Sequence, residues 1–284
     1  MKFQRETAQI FIPDGLDVQA ALSRTTHLGI VAHQDDLEIA AINGILQCFQ
    51  RDNRWFSGVV VTDGRGSARA GLYANYTDDD MRLVRIREQK KAAVLGEYAA
   101  LILLDYPSSA IKDGANPNPI ADIAQIVKTT KPEVIYTHNL ADKHPTHVAV
   151  ALRIIAALRS LPAAERPKHL YGGEAWRDLD WMLDEDKIVF DVSALENLQA
   201  ALIGLYDSQI SGGKRYDLAT LARRRAHATF AATHAVDVAT GLALAMDLTP
   251  LIEDPAKDIA AFVATYIERF AQDVRERIIG LQKS

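Results

Sequence analysis

Short apolar runs alternate with segments of helical periodicity along the first 175 residues of the chain. The apolar runs predict buried strands at 27–33, 55–63, 100–106, 133–138 and 169–175. The segments between them, with apolar residues three and four positions apart, predict helices at 36–51, 79–97, 119–130 and 145–160. Strands that alternate with helices predict an α/β fold, with a mostly parallel sheet covered by helices on both faces.

The pattern changes after residue 186. A strand is predicted at 186–193, followed by helices at 194–210, 217–233 and 255–283. We therefore divide the chain into a main domain, residues 1–210, and a mostly helical C-terminal extension, residues 211–284, packed on the same domain. The apolar stripe of the last helix predicts core packing or contact with a second copy in a homo-oligomer.

Composition and charge narrow the classes of partner. The chain has 284 residues, 48% of them hydrophobic, and a formal net charge of −5. No broad basic surface is implied, so nucleic acid is not an expected partner. The cluster Arg223–Arg225 is typical of a solvated helix face. A single cysteine excludes an internal disulfide, and the sequence shows neither a secretory leader nor an apolar run long enough to span a membrane, so we expect a cytoplasmic protein.

Polar residues follow four of the predicted strands. His33, Asp63, Asp105 and His138 all lie at, or just past, the carboxyl end of a strand. In parallel sheets, ligands bind outside these strand ends. Each residue by itself could instead be a turn or capping residue, but together they predict a polar site at one edge of the sheet.

The first motif, AHQDDLE at 32–38, combines one imidazole with three carboxylates. His33 and Asp36 are three residues apart across a turn, so they can converge on one ion, and a His nitrogen with a carboxylate oxygen suits zinc. The competing interpretation is a helix N-terminus, with Asp35 or Asp36 as the cap and Glu38 favourable to the helix dipole.

The second motif, HNLADKHPTH at 138–147, contains three of the eight histidines. His144 and His147 are three apart at a predicted helix start and share one face. Two histidines and one aspartate from the two motifs would leave open metal positions, as in catalytic zinc sites. A spare carboxylate, Asp35, could then take a proton from water, and His144 could stabilise an oxyanion or protonate a leaving amine. The same ligand types also suit Fe²⁺ or Mn²⁺.

The two motifs resemble the signature of the LmbE-like, or PIG-L, deacetylases, which is roughly A-H-P-D-D-x-E near the N-terminus and H-P-D-H later. Further similarity runs through VVVTDGRG at 59–66, RIREQKKAAVLG at 85–96, LLDYP at 103–107 and FDVS…YDSQ within 190–209. The resemblance implies a Rossmann-like three-layer sandwich, with residues 1–210 as the catalytic domain. It also implies zinc-dependent removal of an N-acetyl group from an N-acetylglucosamine-type sugar.

Carried over by position, the resemblance implies one Zn²⁺ per chain with His33, Asp36 and His147 as ligands. It implies that Asp35 is the general base and that His144 assists the intermediate. Arg85, in an R-x-x-E pattern, is either a substrate contact or an ion-pair partner of Glu88. The full set of expected substrate contacts is Arg85, Asp63, Asp105, Asn139 and Asp142.

Two positions depart from the family pattern. Gln34 replaces the proline of the first motif, and we expect zinc binding to survive because Gln34 is not a ligand. Thr146 replaces the aspartate of the second motif and cannot supply a charge, so we expect His144 to lose its proton more easily, unless Asp142 supplies the missing carboxylate.

Other functions remain open on the sequence alone. The substrate could be another small amide, or the chain could be a non-catalytic sugar-binding or metal-binding protein on a deacetylase scaffold. A nucleotide-binding Rossmann protein is disfavoured, because no G-x-G-x-x-G follows the first predicted strand. His227 and His234 lie beyond the recognisable motifs and are expected to be exposed or capping residues.

Overall fold

The structure, a computed structural model, describes residues 1–283. These residues contain one sheet built from β1 (Gln9–Phe11), β2 (His27–Val31), β3 (Phe56–Thr62), β4 (Ala100–Tyr106), β5 (Val134–His138), β6 (His169–Gly173), β7 (Lys187–Asp191) and β8 (Leu242–Asp247).

The helices connect these strands and follow the last one. They are α1 (Val18–Ser23), α2 (Asp36–Ala40), α3 (Ile42–Cys48), α4 (Asp78–Leu95), α5 (Ser108–Lys112), α6 (Asn118–Thr130), α7 (Pro145–Arg159), α8 (Glu196–Gly204), α9 (Asp207–Ile210), α10 (Tyr216–Phe230), α11 (Pro250–Glu253) and α12 (Ile259–Gln282).

The strand order across the sheet is β1-β4-β3-β2-β5-β6-β8-β7. The central strands β4, β3, β2, β5 and β6 are parallel, whereas β1 and β8 run antiparallel to their neighbours. The expected α/β fold with a mostly parallel sheet is confirmed. The chain winds outwards from β2 to β4, then returns to place β5 on the other side of β2, so the carboxyl ends of β2 and β5 flank a topological switch point.

Each face of the sheet carries its own apolar layer. Successive strand residues point to opposite faces, so Ile30 and Val59 pack in one buried cluster while Val31 and Val60 pack in the other. The first cluster includes side chains of α6 and α7, and the second includes side chains of α2, α3 and α8. Helices therefore cover both faces, which gives the three layers that the family resemblance implied.

The segment after residue 210 is part of the sheet. Strand β8 lies between β6 and β7 and pairs antiparallel with both. Residues 211–283 contain helices α10, α11 and α12, and they also supply a strand that the sequence pattern did not predict. A short apolar run such as that of β8 cannot be told from a piece of buried helix by periodicity alone.

Two predicted helices are broken in the structure. The helix predicted at 36–51 is interrupted at Ala41, whose φ of −110° and ψ of 16° are not helical, and becomes α2 and α3. The helix predicted at 194–210 is interrupted near Tyr206 and becomes α8 and α9. The short elements β1, α1, α5 and α11 were not predicted.

Helix α12 packs on the domain through its first half only. Phe262 and Tyr266 lie against the apolar cluster that contains α6 and α7. Further along, Ile278 and Ile279 are about half exposed, at 52% and 48%. Within residues 1–283, neither this helix nor any other is long and apolar enough to cross a membrane.

Candidate metal centre and its cavity

The switch point of the sheet brings the two histidine motifs together. His33 follows β2 and leads into α2, and His147 lies in the first turn of α7, after β5. Because β2 and β5 are hydrogen-bonded neighbours, residues 114 positions apart in the chain meet at one strand edge.

Three side-chain atoms of these motifs form a nearly equilateral triangle. His33 Nδ1 lies 3.2 Å from Asp36 Oδ2 and 3.2 Å from His147 Nε2, and the third side, between His147 and Asp36, measures 3.3 Å. A tetrahedral zinc ion with bonds of about 2.0–2.1 Å separates its donor atoms by about 3.3–3.4 Å. The donors are therefore spaced as a tetrahedral metal requires, and His33 and Asp36 border an open cavity from which a fourth ligand can enter.

The charges of the triad are strongly coupled. Burial raises the pKa of Asp36, but the neighbouring imidazoles of His147, His138 and His33, through charge and hydrogen bonds, together outweigh burial and hold this pKa well below its usual range. Burial lowers the pKa of His147, but the carboxylates of Asp36 and Asp142 outweigh burial and raise it to about 9. Without a metal, His147 thus carries a proton between two carboxylates.

His138 and Asp142 hold His147 in place. The ring of His138 stacks on that of His147 with centroids 3.8 Å apart, and its Nε2 accepts the backbone N–H of Ala32 at 2.9 Å. Asp142 Oδ2 lies 3.6 Å from His147 Nδ1, on the side of the ring away from the triad. Such outer contacts orient a histidine ligand.

Asp35 occupies a conformation that few non-glycine residues adopt. Its φ is 86°, in the left-handed region, and its N–H donates to Gln89 Oε1 at 3.2 Å. Its side chain caps no helix, which removes the capping interpretation. Asp35 Oδ2 lies 3.2 Å from an Arg85 nitrogen but accepts no hydrogen bond from residues 1–283. Burial raises the pKa of Asp35 well above its usual value, although the Arg85 charge opposes this.

His144 is neutral near pH 7. Burial, together with the neighbouring imidazoles of His147 and His33, lowers its pKa to about 4. Its Nδ1 accepts the backbone N–H of Thr146 at 3.3 Å, so the proton of the neutral ring resides on Nε2. Asp142 accepts the backbone N–H of His144 at 2.7 Å rather than facing this ring. The carboxylate missing at Thr146 is thus not replaced at the His144 ring by Asp142.

Arg85 lies in the wall of the cavity and connects two loops. Its guanidinium donates to the carbonyl of Gln34 and to Ser67 Oγ, besides contacting Asp35. Glu88 accepts hydrogen bonds from the backbone and hydroxyl of Ser208 instead of pairing with Arg85. The guanidinium therefore supports the Asp35 loop at the same time as it borders the cavity.

Two of the expected substrate residues are engaged in ion pairs. Asp63 accepts from Arg65 Nε at 2.8 Å. Asp105 accepts two hydrogen bonds from Arg82, at 2.7 and 2.6 Å. Both aspartates lie at the carboxyl ends of central strands as expected, Asp63 just past β3 and Asp105 within β4, but each one anchors an arginine next to the site rather than bordering the cavity.

Asn139 is also used internally, because its Nδ2 donates to the carbonyl of Gly173 at 3.0 Å. Gln34 turns its amide towards the carbonyl of Thr62, away from the metal donors. Of the five expected substrate residues, only Arg85 borders the cavity. Substrate contact remains an untested prediction for the other four, which are Asp63, Asp105, Asn139 and Asp142.

The cavity next to the triad has a volume of about 590 Å³. One wall comes from α10 and from the loop after β6, a part of the chain where the sequence offers no recognisable motif. It contributes Trp176, Lys214, Tyr216 and Arg223. A lone tryptophan in a loop carries no sequence signal for a binding site, and the charge pattern of α10 assigned its basic residues to solvent.

The prediction that the basic cluster of α10, Arg223–Arg225, forms a solvated face was wrong for Arg224. Arg224 is only 5% exposed and donates to Gln199 Oε1 and to the carbonyl of Glu38. His227, one turn later, is 9% exposed and lies 2.9 Å from Glu174 Oε1. The local pattern of charges does not reveal which face of α10 is buried, and here that face includes Arg224 and also His227, which was expected to be exposed or capping. His234 is exposed, as expected.

Comparison with solved structures reveals shared folds. The conserved protein TT1542 from Thermus thermophilus aligns with a TM-score of 0.60 at 18% identity, covering 82% of this chain and 99% of its own. GalB, the 4-carboxy-2-hydroxymuconate hydratase from Pseudomonas putida, aligns with a TM-score of 0.60 at 16% identity, covering 79% and 96%. The N,N'-diacetylchitobiose deacetylase from Pyrococcus horikoshii aligns with a TM-score of 0.56 at 15% identity, covering 81% and 87%.

Sequence comparison finds a family model that matches part of the chain. No curated protein matches the chain by sequence. The family model PIG-L, described as GlcNAc-PI de-N-acetylase, matches residues 28–158. This segment contains both histidine motifs and all three donors of the triad. The part of the chain that supplies the three donor atoms, residues 28–158, is therefore similar to the PIG-L (LmbE-like) family.

Proposed function

We propose that this protein is a zinc-dependent deacetylase that removes an N-acetyl group from an N-acetylglucosamine-type sugar. The observation that carries the proposal is the triangle of donor atoms from His33, Asp36 and His147, next to an Asp35 oxygen that accepts no hydrogen bond within residues 1–283. The family description and the fold shared with a chitobiose deacetylase support it.

The donor set suits the chemistry of amide hydrolysis. A zinc ion held by two histidines and one carboxylate supplies Lewis-acid chemistry, polarising a carbonyl and making water more acidic. Asp35 then serves as the proton acceptor, because burial raises the pKa of its carboxyl and so strengthens it as a base. Arg85 keeps this carboxylate in place through its contact with Oδ2.

His144 is suited to stabilise the negative charge that develops on the acyl oxygen. Its neutral ring carries the proton on Nε2 and borders the cavity. A neutral imidazole that donates a hydrogen bond can act as an oxyanion donor. The proton that Asp35 accepts can later pass to the leaving amine, which returns the carboxylate to its starting state.

The proposal is tested by Asp35→Asn, assayed for acetate release from a panel of N-acetylated sugars and for metal content. Loss of the base lowers kcat by roughly 10²–10⁴-fold, while the protein retains about one zinc per chain because Asp35 is not a donor. His147→Ala should lose the metal as well as activity, and His234→Ala is the exposed-histidine control. Full acetate release by Asp35→Asn would refute its role as base.

Acetate-release assays on an extended panel of compounds distinguish the remaining candidate substrates and functions. Acetate released from acyl-amino compounds but not from sugars would replace the sugar with another small amide. Sugar binding without any turnover would indicate a binding protein on a deacetylase scaffold. Metal analysis of the purified protein distinguishes Zn²⁺ from Fe²⁺ or Mn²⁺, which the same donor types accept.

A further inference from the structure

Two basic side chains on the α10 side of the cavity form no ion pair within residues 1–283. Lys214, just before α10, and Arg223, on α10, both border the cavity that contains the metal donors. Within residues 1–283, neither forms an ion pair with a carboxylate. Their charges are therefore not neutralised inside the protein, although the chain as a whole has a net charge of −5.

Trp176 connects these two cations to the catalytic histidine. Its ring stacks on His144 with centroids 6.0 Å apart, and Lys214 Nζ lies 4.9 Å from the Trp176 ring centroid. Arg223 Nη1 donates to the carbonyl of Ala175 at 2.6 Å. Lys214 and Arg223 thus contact residues 175 and 176, and the Trp176 ring that Lys214 contacts also stacks on His144.

The carboxylates that border the same cavity are already engaged. Asp36 belongs to the metal triad and Asp35 contacts Arg85. Glu174 accepts from the backbone of Leu179 at 2.8 Å and lies 2.9 Å from His227 Nε2. None of the three forms an ion pair with Lys214 or Arg223 within the described chain, so these cations remain available to a ligand.

We propose that the substrate carries an anionic group, a phosphate or a carboxylate, on the part remote from its N-acyl group, and that Lys214 and Arg223 bind this anion beside Trp176. The inference rests on the proposed deacetylase function, because the acyl group must reach the metal triad. Arg223 donates to Ala175 through Nη1 only, which leaves Nε and Nη2 for anionic oxygens. Lys214 adds a second charge on a flexible stem.

The test compares kcat/KM for acetate release from neutral N-acetylglucosamine, from its 1-phosphate and 6-phosphate, and from N-acetylmuramic acid, which carries a carboxylate. The wild-type protein should prefer at least one anionic sugar over the neutral one by about tenfold or more, since charge-assisted contacts are the strong ones. Which sugars are preferred distinguishes phosphate from carboxylate. Raising the salt concentration should reduce the preference.

Substitutions assign the preference to the two cations. Arg223→Gln, which keeps a donor for the Ala175 carbonyl, and Lys214→Gln should each lower the anionic-to-neutral ratio of kcat/KM by about five- to tenfold. Arg225→Gln is the matched control on the same helix. Its side chain is 65% exposed and pairs with Glu196, so the ratio should not change.

Binding measured by calorimetry on the same sugars separates the two proposals. Equal kcat/KM for neutral and anionic sugars would overturn the anion site while leaving deacetylation intact. Binding of an anionic sugar that is lost in Arg223→Gln, without acetate release from any sugar, would support the anion site and contradict deacetylation. Failure of the wild-type protein to bind any anionic sugar more tightly than N-acetylglucosamine would overturn the anion site.

Discussion

His147 differs in charge from the three histidines around it. Burial lowers the pKa of His33 and of His138, and it lowers that of His144 to about 4, so these rings are neutral near pH 7. His147 lies between the carboxylates of Asp36 and Asp142, which raise its pKa to about 9. In the metal-free protein, protonated His147 therefore supplies positive charge at the position where a bound metal ion would supply it.

Zinc binding should release close to one proton per chain at pH 7. A histidine must be neutral to bind a metal, so the apparent affinity should rise about tenfold per pH unit until the pH approaches 9, the pKa of His147. Calorimetry in buffers of different ionisation enthalpy measures the released proton. Asp142→Asn removes one of the carboxylates that raise this pKa and should reduce the release. Binding that is independent of pH between 6 and 8 would contradict the assignment.

The same shift affects the stability of the metal-free protein. The folded pKa of His147, about 9, lies above its ordinary value of 6.5. The protonated ring thus contributes stability that is complete below pH 6.5 and is lost as the pH rises through 9. This dependence should disappear when zinc is bound, because the metal replaces the proton.

The buried carboxylate of Glu38 connects helix α2, through hydrogen bonds, to elements that are distant in the sequence. Glu38 accepts from the hydroxyls of Tyr98 and Tyr206, each at 2.6 Å, and from Gln89 Nε2 at 3.0 Å. Burial raises the pKa of Glu38 to about 7, although these hydrogen bonds oppose the shift. Gln89 also accepts the N–H of Asp35, so the network connects α2, α4 and the start of α9 to the Asp35 loop.

Removing one hydroxyl from this network should destabilise the protein. Tyr206→Phe leaves a buried Glu38 oxygen without its donor, which costs about 1–3 kcal/mol in the free energy of unfolding. Tyr73→Phe is the control, because its hydroxyl bonds Asp207 at the surface and should cost no more than about 0.5 kcal/mol. Chemical denaturation measures both values. Equal losses of unfolding free energy in the two variants would show that the buried network stabilises the protein no more than a surface hydrogen bond does.

The loop after β3 approaches the first motif closely at Gly64. This glycine has a φ of 68°, and a Cβ there would overlap the side-chain oxygen of Gln34. Because alanine is strained at this φ and the Gln34 side chain would have to move, Gly64→Ala should cost about 1–3 kcal/mol of stability. Gly66→Ala is the matched control in the same loop, because nothing lies within 4 Å of its Cβ position. A stable Gly64→Ala protein would contradict this account of the loop.

The molecule as a whole depends on residues beyond 210 to complete its sheet. Strand β8 is the connection between β6 and β7, and α10 closes the cavity over the metal centre. The division at residue 210 therefore separates motifs that can be recognised from those that cannot, while the sheet runs across it.

Deleting residues 211–284 should prevent folding, because β7 would lose its only sheet neighbour within the described chain. Deleting residues 271–284 removes only the later part of α12, which follows the side chains packed on the core, and should leave a cooperative fold. Thermal unfolding followed by circular dichroism compares the two. A folded protein lacking residues 211–284 would show that residues 1–210 form an independent domain.

The longer strands and helices from β2 to β5, and the convergence of His33, Asp36 and His147, could be predicted from the sequence alone. Apolar periodicity is a local property of the chain, and His33, Asp36 and His147 belong to compact motifs at strand ends. The break at Ala41 could not be predicted, because it arises where α2 and α3 pack against the sheet and not from a helix-breaking residue.

The tertiary structure alone decided which polar residues border the cavity. Asp63 and Asp105 lie at the carboxyl ends of strands, near His33 in the sheet, yet Asp63 pairs with the neighbouring Arg65 and Asp105 pairs with Arg82, 23 positions away. The insertion of β8 and the burial of Arg224 likewise depend on partners far away in sequence. Local patterns show that a residue is polar or apolar, whereas its role in this site depends on which distant element packs against it.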